Sequence, residues 1–178
     1  MATGPTWAWP VEFTEATGTT GPRWYVMFDD TGGANGVLSN SDTTAFTLAG
    51  WRMKSAEHAL AWQKARAAGD MRAAGRALKA PSPVEARWVR QSVRGVGAEK
   101  WEARLEEEMM KVARAKFAHA EMARWLEKTG EAGLAAMLPD DTRLGTGLPA
   151  DTGGAADRSR WRGSNILGRV LAPPAAGD

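Results

Sequence analysis

The apolar residues of this chain fall into two short runs near its beginning and then into stretches with helical spacing. Trp24 to Phe28 (WYVMF) is a compact aromatic and β-branched run between Pro22 and the turn-forming Asp29-Asp30-Thr31-Gly32-Gly33, which predicts a buried strand. Phe46-Thr47-Leu48 is expected to pair with it in a small sheet. A first helix is expected from Ser55 to Ala68, ended by Gly69, and a shorter one from Asp70 to Leu78. Ser82 before Pro83 forms an N-cap and N1 pair that opens a helix reaching about Val93. The longest helix should run from about Ala98 to Ala118, because Trp101, Leu105, Met109, Val112 and Phe117 lie on or near one stripe. Glu121 to Lys128 follows, with Gly130 as its C-cap. Leu134 to Leu138 reads as a short strand, and a last helix beginning near Asn165 is cut short by Pro173-Pro174.

Two segments lack periodicity. Residues up to about Gly21, rich in Thr, Gly and Pro, predict a loosely ordered arm or an edge segment. Asp140 to Arg162 holds many Gly, Asp and Arg residues, and so long an irregular segment in a compact domain is usually functional or mobile. The expected fold is therefore mainly α with a small N-terminal β element. A chain of 178 residues suits a single domain, here residues 22–172, with a poorly structured arm over 1–21 and a tail over 173–178.

Composition narrows the chemistry. With no cysteine there is no disulfide, thiol nucleophile or thiolate metal site, and two histidines far apart in sequence give no zinc pattern, so neither metal nor cofactor is expected. A net charge of +2 does not call for nucleic acid as a partner. The first residues lack a basic and apolar leader pattern, and no stretch reaches the roughly 20 apolar residues of a membrane span, so a cytoplasmic location without membrane association is expected.

The stretch Leu38 to Lys64 concentrates the candidate chemistry. Ser55 is a good N-cap, and Glu57 then falls in the first helical turn, where free N–H groups and the helix dipole favour a carboxylate. Lys64 lies seven residues on, so the acid and the amine project from one face, about 10 Å apart along the axis. On residue type alone, Glu57 balances a dipole, Lys64 is a solvated lysine, His58 packs against Trp62, and Asn40 bonds its own turn. Trp62, Trp88 and Trp101 are core residues by default, although a pocket for a flat base needs an aromatic wall, for which Trp88 and Trp101 are candidates. Arg87, Arg90 and Arg94 recur at helical spacing as a cationic stripe, either a solvated face or, through their planar forks, a phosphate anchor.

Order and spacing across the chain resemble the NADAR family. The residues that carry the likeness are the turn Leu38-Ser39-Asn40, Gly50, Ser55-Ala56-Glu57-His58 with Lys64, Trp101 with Met109 and Lys116-Phe117, Thr129-Gly130, Asp141 with Gly145 and Gly147, and the closing Gly163-Ser164-Asn165-Ile166-Leu167-Gly168. Together they span about residues 25 to 171. The resemblance implies a NADAR fold, catalytic roles for Glu57, Lys64 and Asp141, and ligand contacts from Asn40, His58, Arg87, Arg90, Trp88, Trp101, Gly145 and Asn165. It also implies that Lys64 forms a Schiff base with an opened sugar in members acting on ADP-ribose. Four positions depart from the family pattern: Ala136 where it has Glu, Leu144 where it has Trp, Ser41 where it has Phe, and an extra segment from Leu148 to Arg160.

The chemistry implied is cleavage of a ribose–nitrogen bond. Positive charge builds on the sugar, which a carboxylate stabilises, and the leaving nitrogen needs a proton. The leading expectation is an N-glycosidase acting on a phosphoribosylated pyrimidine or pterin-type intermediate of riboflavin-related metabolism. The alternatives are removal of ADP-ribose from guanine in nucleic acid and a non-catalytic module binding a nucleotide or ADP-ribose.

Overall fold

The computed structural model describes residues 14–17, 22, 24–95 and 98–172. The predicted arm and tail lie largely outside that range; of the arm, β1 (Thr14–Glu15) is seen, paired antiparallel with β2 (Trp24–Phe28). Then come β3 (Phe46–Leu48), β4 (Trp51–Met53), α1 (Ala56–Ala67), α2 (Met71–Lys79), α3 (Pro83–Ser92), α4 (Ala98–Lys116), α5 (Ala120–Glu127), β5 (Gly133–Ala136) and α6 (Ile166–Leu171). Helix dominates, with a small β element, as the sequence predicts.

Local chemistry accounts for the helix starts. The Ser55, Asp70 and Ser82 side chains accept from His58 N, Ala73 N and Glu85 N, and each removes one orphan donor from the first turn of α1, α2 or α3. Gly69 and Gly130, both at positive φ, follow α1 and α5. Alanines at 56, 59, 61 and 65 let neighbouring helices approach α1 closely; α2, α3 and α4 pack around it, and it is buried along most of its length.

Strand pairing corrects one expectation. Phe46–Leu48 pairs with Trp51–Met53 in a hairpin rather than with Trp24–Phe28. Ala49 and Gly50 both take positive φ, the two-residue turn whose twist suits a hairpin. The partner of β2 is β5, in parallel, from Tyr25 beside Gly133 to Phe28 beside Ala136. Between those strands the chain builds α1 to α5, the crossover that parallel pairing requires.

The sheet has two covered faces. Val26, Phe28, Leu134 and Ala136 join the helical core. Tyr25, Ala135 and Met137 face the other way and are covered by Leu148, Ala155 and Ala156, with Met27 and Trp161 packed at the margin. The extra segment from Leu148 to Arg160 therefore lids the far face of the sheet and not the face carrying α1.

The free edge of β5 is closed by one side chain. Asn165, at φ 48°, accepts from Ala136 N at 3.0 Å and donates to Leu134 O at 2.8 Å, imitating a neighbouring strand. At Gly168 an added Cβ would lie 2.0 Å from Leu134 O, so the closing motif serves to seat α6 against a strand backbone.

A candidate active site around Glu57

Helix α1 begins against the 39–42 turn, where Glu57 N donates to Asn40 O at 3.0 Å. This places the Glu57 carboxylate inside the protein, 1% exposed. A buried carboxylate needs partners, and α3 supplies them. Arg87 and Arg90, three residues apart on one face, both turn inward. Arg87 donates to Oε1 through Nε and Nη2 at 3.2 and 3.0 Å, and Arg90 Nη2 lies 3.5 Å from Oε2.

Each arginine is held by a second acid. Arg87 Nη2 also donates to Asp30 Oδ2 at 2.6 Å and to Ser41 Oγ at 3.3 Å. Arg90 Nη2 is 3.7 Å from Asp141 Oδ2. The other Asp141 oxygen accepts from Arg143 N and Leu144 N, which fixes the carboxylate at the start of its loop. Burial alone would raise Asp30, but hydrogen bonds from Ser39 and Arg87 and the arginine charge hold it below the usual carboxylate range. Burial works against the Arg87 charge, yet Glu57 and Asp30 more than offset it and raise its pKa further. Arg87 is a permanent cation.

Lys64 sits beside the same arginine. Its Nζ donates to Arg90 O at 3.0 Å and lies 5.9 Å from the centre of the Trp101 ring. Burial, then the charges of Arg90 and Arg94, push its pKa below that of an ordinary lysine, with Glu102 opposing. Glu102 pairs with Arg143 and so ties the Asp141 loop to α4 next to Trp101.

Of the residues expected in the site, Glu57, Lys64, Asp141, Arg87 and Arg90 meet, and Asn40 joins through its backbone carbonyl while its amide faces Met109 Sδ. Trp101 is buried beneath Lys64. Other expectations need correction. Arg87 and Arg90, expected as a phosphate anchor, turn inward onto acids of this chain, while the buried Arg90 Nε has no partner among the described residues. His58 faces away: Nε2–H donates to Ala80 O at 3.1 Å and Nδ1 accepts from Ser55 Oγ at 2.7 Å, a tautomer assigned from these partners. Burial lowers its pKa. Trp88 is 62% exposed on the outer side of α3. Asn165 spends its amide on β5. At Gly145 an added Cβ would come 2.5 Å from Leu138 Cβ, which marks a packing position.

Sequence reasoning missed Asp30, which reads as an ordinary turn residue, and noted Ser41 only as a departure from the family pattern. It gave Lys116 no role. That lysine is 2% exposed and donates to Val37 O and Ser39 O at 2.7 and 2.8 Å, with Asp42 at 3.3 Å. Burial pushes its pKa down to about 8 against the pull of Asp42. Lys116 thus underpins the turn that delivers Asn40 to Glu57 and Ser41 to Arg87. Ala136 and Leu144 are fully buried in the core, so the two altered positions bring no polar group to the cluster. Among the described residues no group of acids and histidines is arranged to hold a metal ion, and no helix is long and apolar enough to cross a membrane.

The arrangement is a charged cluster opening toward solvent at Arg87, Asp30 and Asp141, with the Glu57 carboxylate at its floor and an amine of lowered basicity beside it. No curated protein sequence matches the chain. The fold is similar to that of the E. coli protein YbiA, solved by NMR, with a TM-score of 0.69 at 23% identity over 94% of this chain and 89% of that one. The sequence model of the NADAR domain matches residues 27–173, a span that takes in the 39–42 turn, Glu57, Lys64, both arginines, Asp141 and Asn165. A match over that much of the sequence, on the fold of YbiA, establishes that this chain belongs to the NADAR family.

Proposed function

We propose that the protein is an N-glycosidase that hydrolyses the ribose–nitrogen bond of a phosphoribosylated pyrimidine or pterin-type compound. The observation that carries this reading is the pair of carboxylates on one guanidinium: Glu57 Oε2 and Asp141 Oδ2 lie 3.5 and 3.7 Å from Arg90 Nη2, hence within about 7 Å of each other. Such a spacing suits two acids working on one sugar. Carboxylates on both sides of Arg90 are suited to stabilise the positive charge that develops on ribose as the bond breaks. The lowered basicity of Lys64 supports a role in condensing with the aldehyde of an opened sugar, with loss of water.

One observation favours a second reading, a non-catalytic module for a nucleotide or ADP-ribose. Ala136 and Leu144 stand buried where the family pattern carries a carboxylate and an indole. Single-turnover base release separates the two, using a ribosylamino-pyrimidine phosphate, ADP-ribosylated DNA and free ADP-ribose with the parent and Glu57→Gln. The glycosidase reading expects release by the parent from the pyrimidine compound and none by Glu57→Gln, since glutamine keeps the shape but removes the charge. Equal release by both forms takes Glu57 out of the mechanism. Binding heat without release on any compound favours the module, and release from DNA alone moves the substrate to nucleic acid.

A further inference from the structure

A cavity of about 410 Å³ opens on the far side of the sheet between β2, β5, α6 and the end of the extra segment. None of Glu57, Lys64, Arg87, Arg90 or Asp141 lines it. Its walls include Tyr25, Trp161, Arg158, Ser164 and Arg169, and among the described residues no acidic side chain lines it. The volume lies in the lower part of the range of small-molecule sites, about 300 to 1,000 Å³.

Three features give this cavity a chemistry. The Tyr25 ring is buried in the wall, 3% exposed as a residue, while its hydroxyl reaches solvent and makes no hydrogen bond to a described residue. A phenol hydroxyl that opens on a cavity is free to donate to a ligand there. Arg158 is exposed and forms no ion pair or hydrogen bond among the described residues, because the neighbouring Asp157 carboxylate accepts from Ser159 N and Oγ. Arg169, by contrast, is held by Ser164 O and Glu106, which among the described lining residues leaves Arg158 as the cation with its fork available. The third feature is an aromatic wall: Trp161 meets Tyr25 edge to face at 5.3 Å between centroids, and its indole N–H is anchored on Ala155 O. A guanidinium fork beside a phenol donor matches phosphate oxygens, and the indole offers a flat surface to a ring.

We infer that this cavity is a second binding site, separate from the Glu57 cluster, for a phosphorylated ring compound of mononucleotide size, with phosphate at Arg158 and the Tyr25 hydroxyl and the ring along Trp161. Part of the site exists because of the extra segment, which supplies Arg158. The inference does not depend on the glycosidase reading.

The test is an NMR titration of the Trp161 indole N–H, assigned by its loss in Trp161→Phe, with AMP, adenosine and inorganic phosphate as probes. AMP should move the resonance saturably, with adenosine and phosphate each at least about tenfold weaker, since each has half of the recognised chemistry. Arg158→Ala alters an exposed residue and should fold normally, yet weaken AMP about tenfold or more. Tyr25→Phe keeps the ring packing and should weaken it several-fold, and the shift should persist in Glu57→Gln. No saturable shift with AMP, or AMP affinity unchanged in Arg158→Ala, overturns the site. A shift lost in Glu57→Gln assigns the binding to the first cluster and likewise overturns it.

Discussion

Removing Arg87 tests whether α3 serves the ligand or serves Glu57. In Arg87→Ala the carboxylate keeps Arg90 at 3.5 Å but loses both bonds to Oε1, and Asp30 and Ser41 lose their shared donor. Breaking a buried pair by deleting one partner costs about 3–5 kcal/mol, because a charge is left in the interior. Two features reduce that here. Arg90 still faces Glu57, and the Arg87 side chain is itself 27% exposed, so water can enter part of the vacated space. We expect a loss of about 2–3 kcal/mol, whereas an arginine on a solvated stripe would cost no more than about 0.5 kcal/mol. For a domain of this size each kcal/mol lowers Tm by about 2–4 °C, so the variant should melt several degrees below the parent. Most of the loss comes from a stranded charge, so adding Glu57→Gln to Arg87→Ala should restore part of it. Urea unfolding of the parent, both single variants and the double variant closes the cycle. Arg87→Ala within about 0.5 kcal/mol of the parent, or a double variant no better than the sum of the singles, refutes the reasoning.

Other outcomes follow from the same contacts. Burial holds the Lys116 pKa down to about 8 against 10.5 for an ordinary lysine, so between those values the unfolded chain binds more protons and stability from this group rises with pH; urea titrations at pH 7 and 9.5 should show that rise in the parent and its loss in Lys116→Met. Asn165→Ala leaves Ala136 N and Leu134 O without partners on the edge of β5, and should destabilise by about 2–4 kcal/mol in a thermal melt. The lowered basicity of Lys64 predicts faster acylation than ordinary surface lysines at pH 8, read by peptide mapping, and a Lys64 that reacts no faster than Lys100 counts against an activated amine.

How far the sequence reaches depends on the range of the physics involved. Helix starts were legible because each cap is decided within four residues: Ser55 with His58, Asp70 with Ala73, Ser82 with Glu85. The β2 run was legible as an apolar segment, but its parallel partner β5 was not, since that choice is made by the helices between them. The hairpin was hidden for another reason: Trp51 and Arg52 are exposed, so β4 shows no apolar alternation, and Ala49 at positive φ carries no turn signal. In the site, helical period alone put Glu57 and Lys64 on one face.

Period could not say which way a face points, and Arg87 with Arg90 turns on that point. Their spacing correctly places them together, but an inward helix face is recognised by its apolar residues, and on α3 the buried positions are Ala86 and Arg90. The missing information is the burial of Glu57. A carboxylate 1% exposed cannot stay ionised without cations at hydrogen-bonding distance, and once α1 is fixed against Asn40 the neighbouring helix must supply them. Asp30 and Asp141 then follow as the counter-charges of those cations. The arginines are therefore partners of Glu57 first, and a phosphate approaching them would compete with three acids already in place.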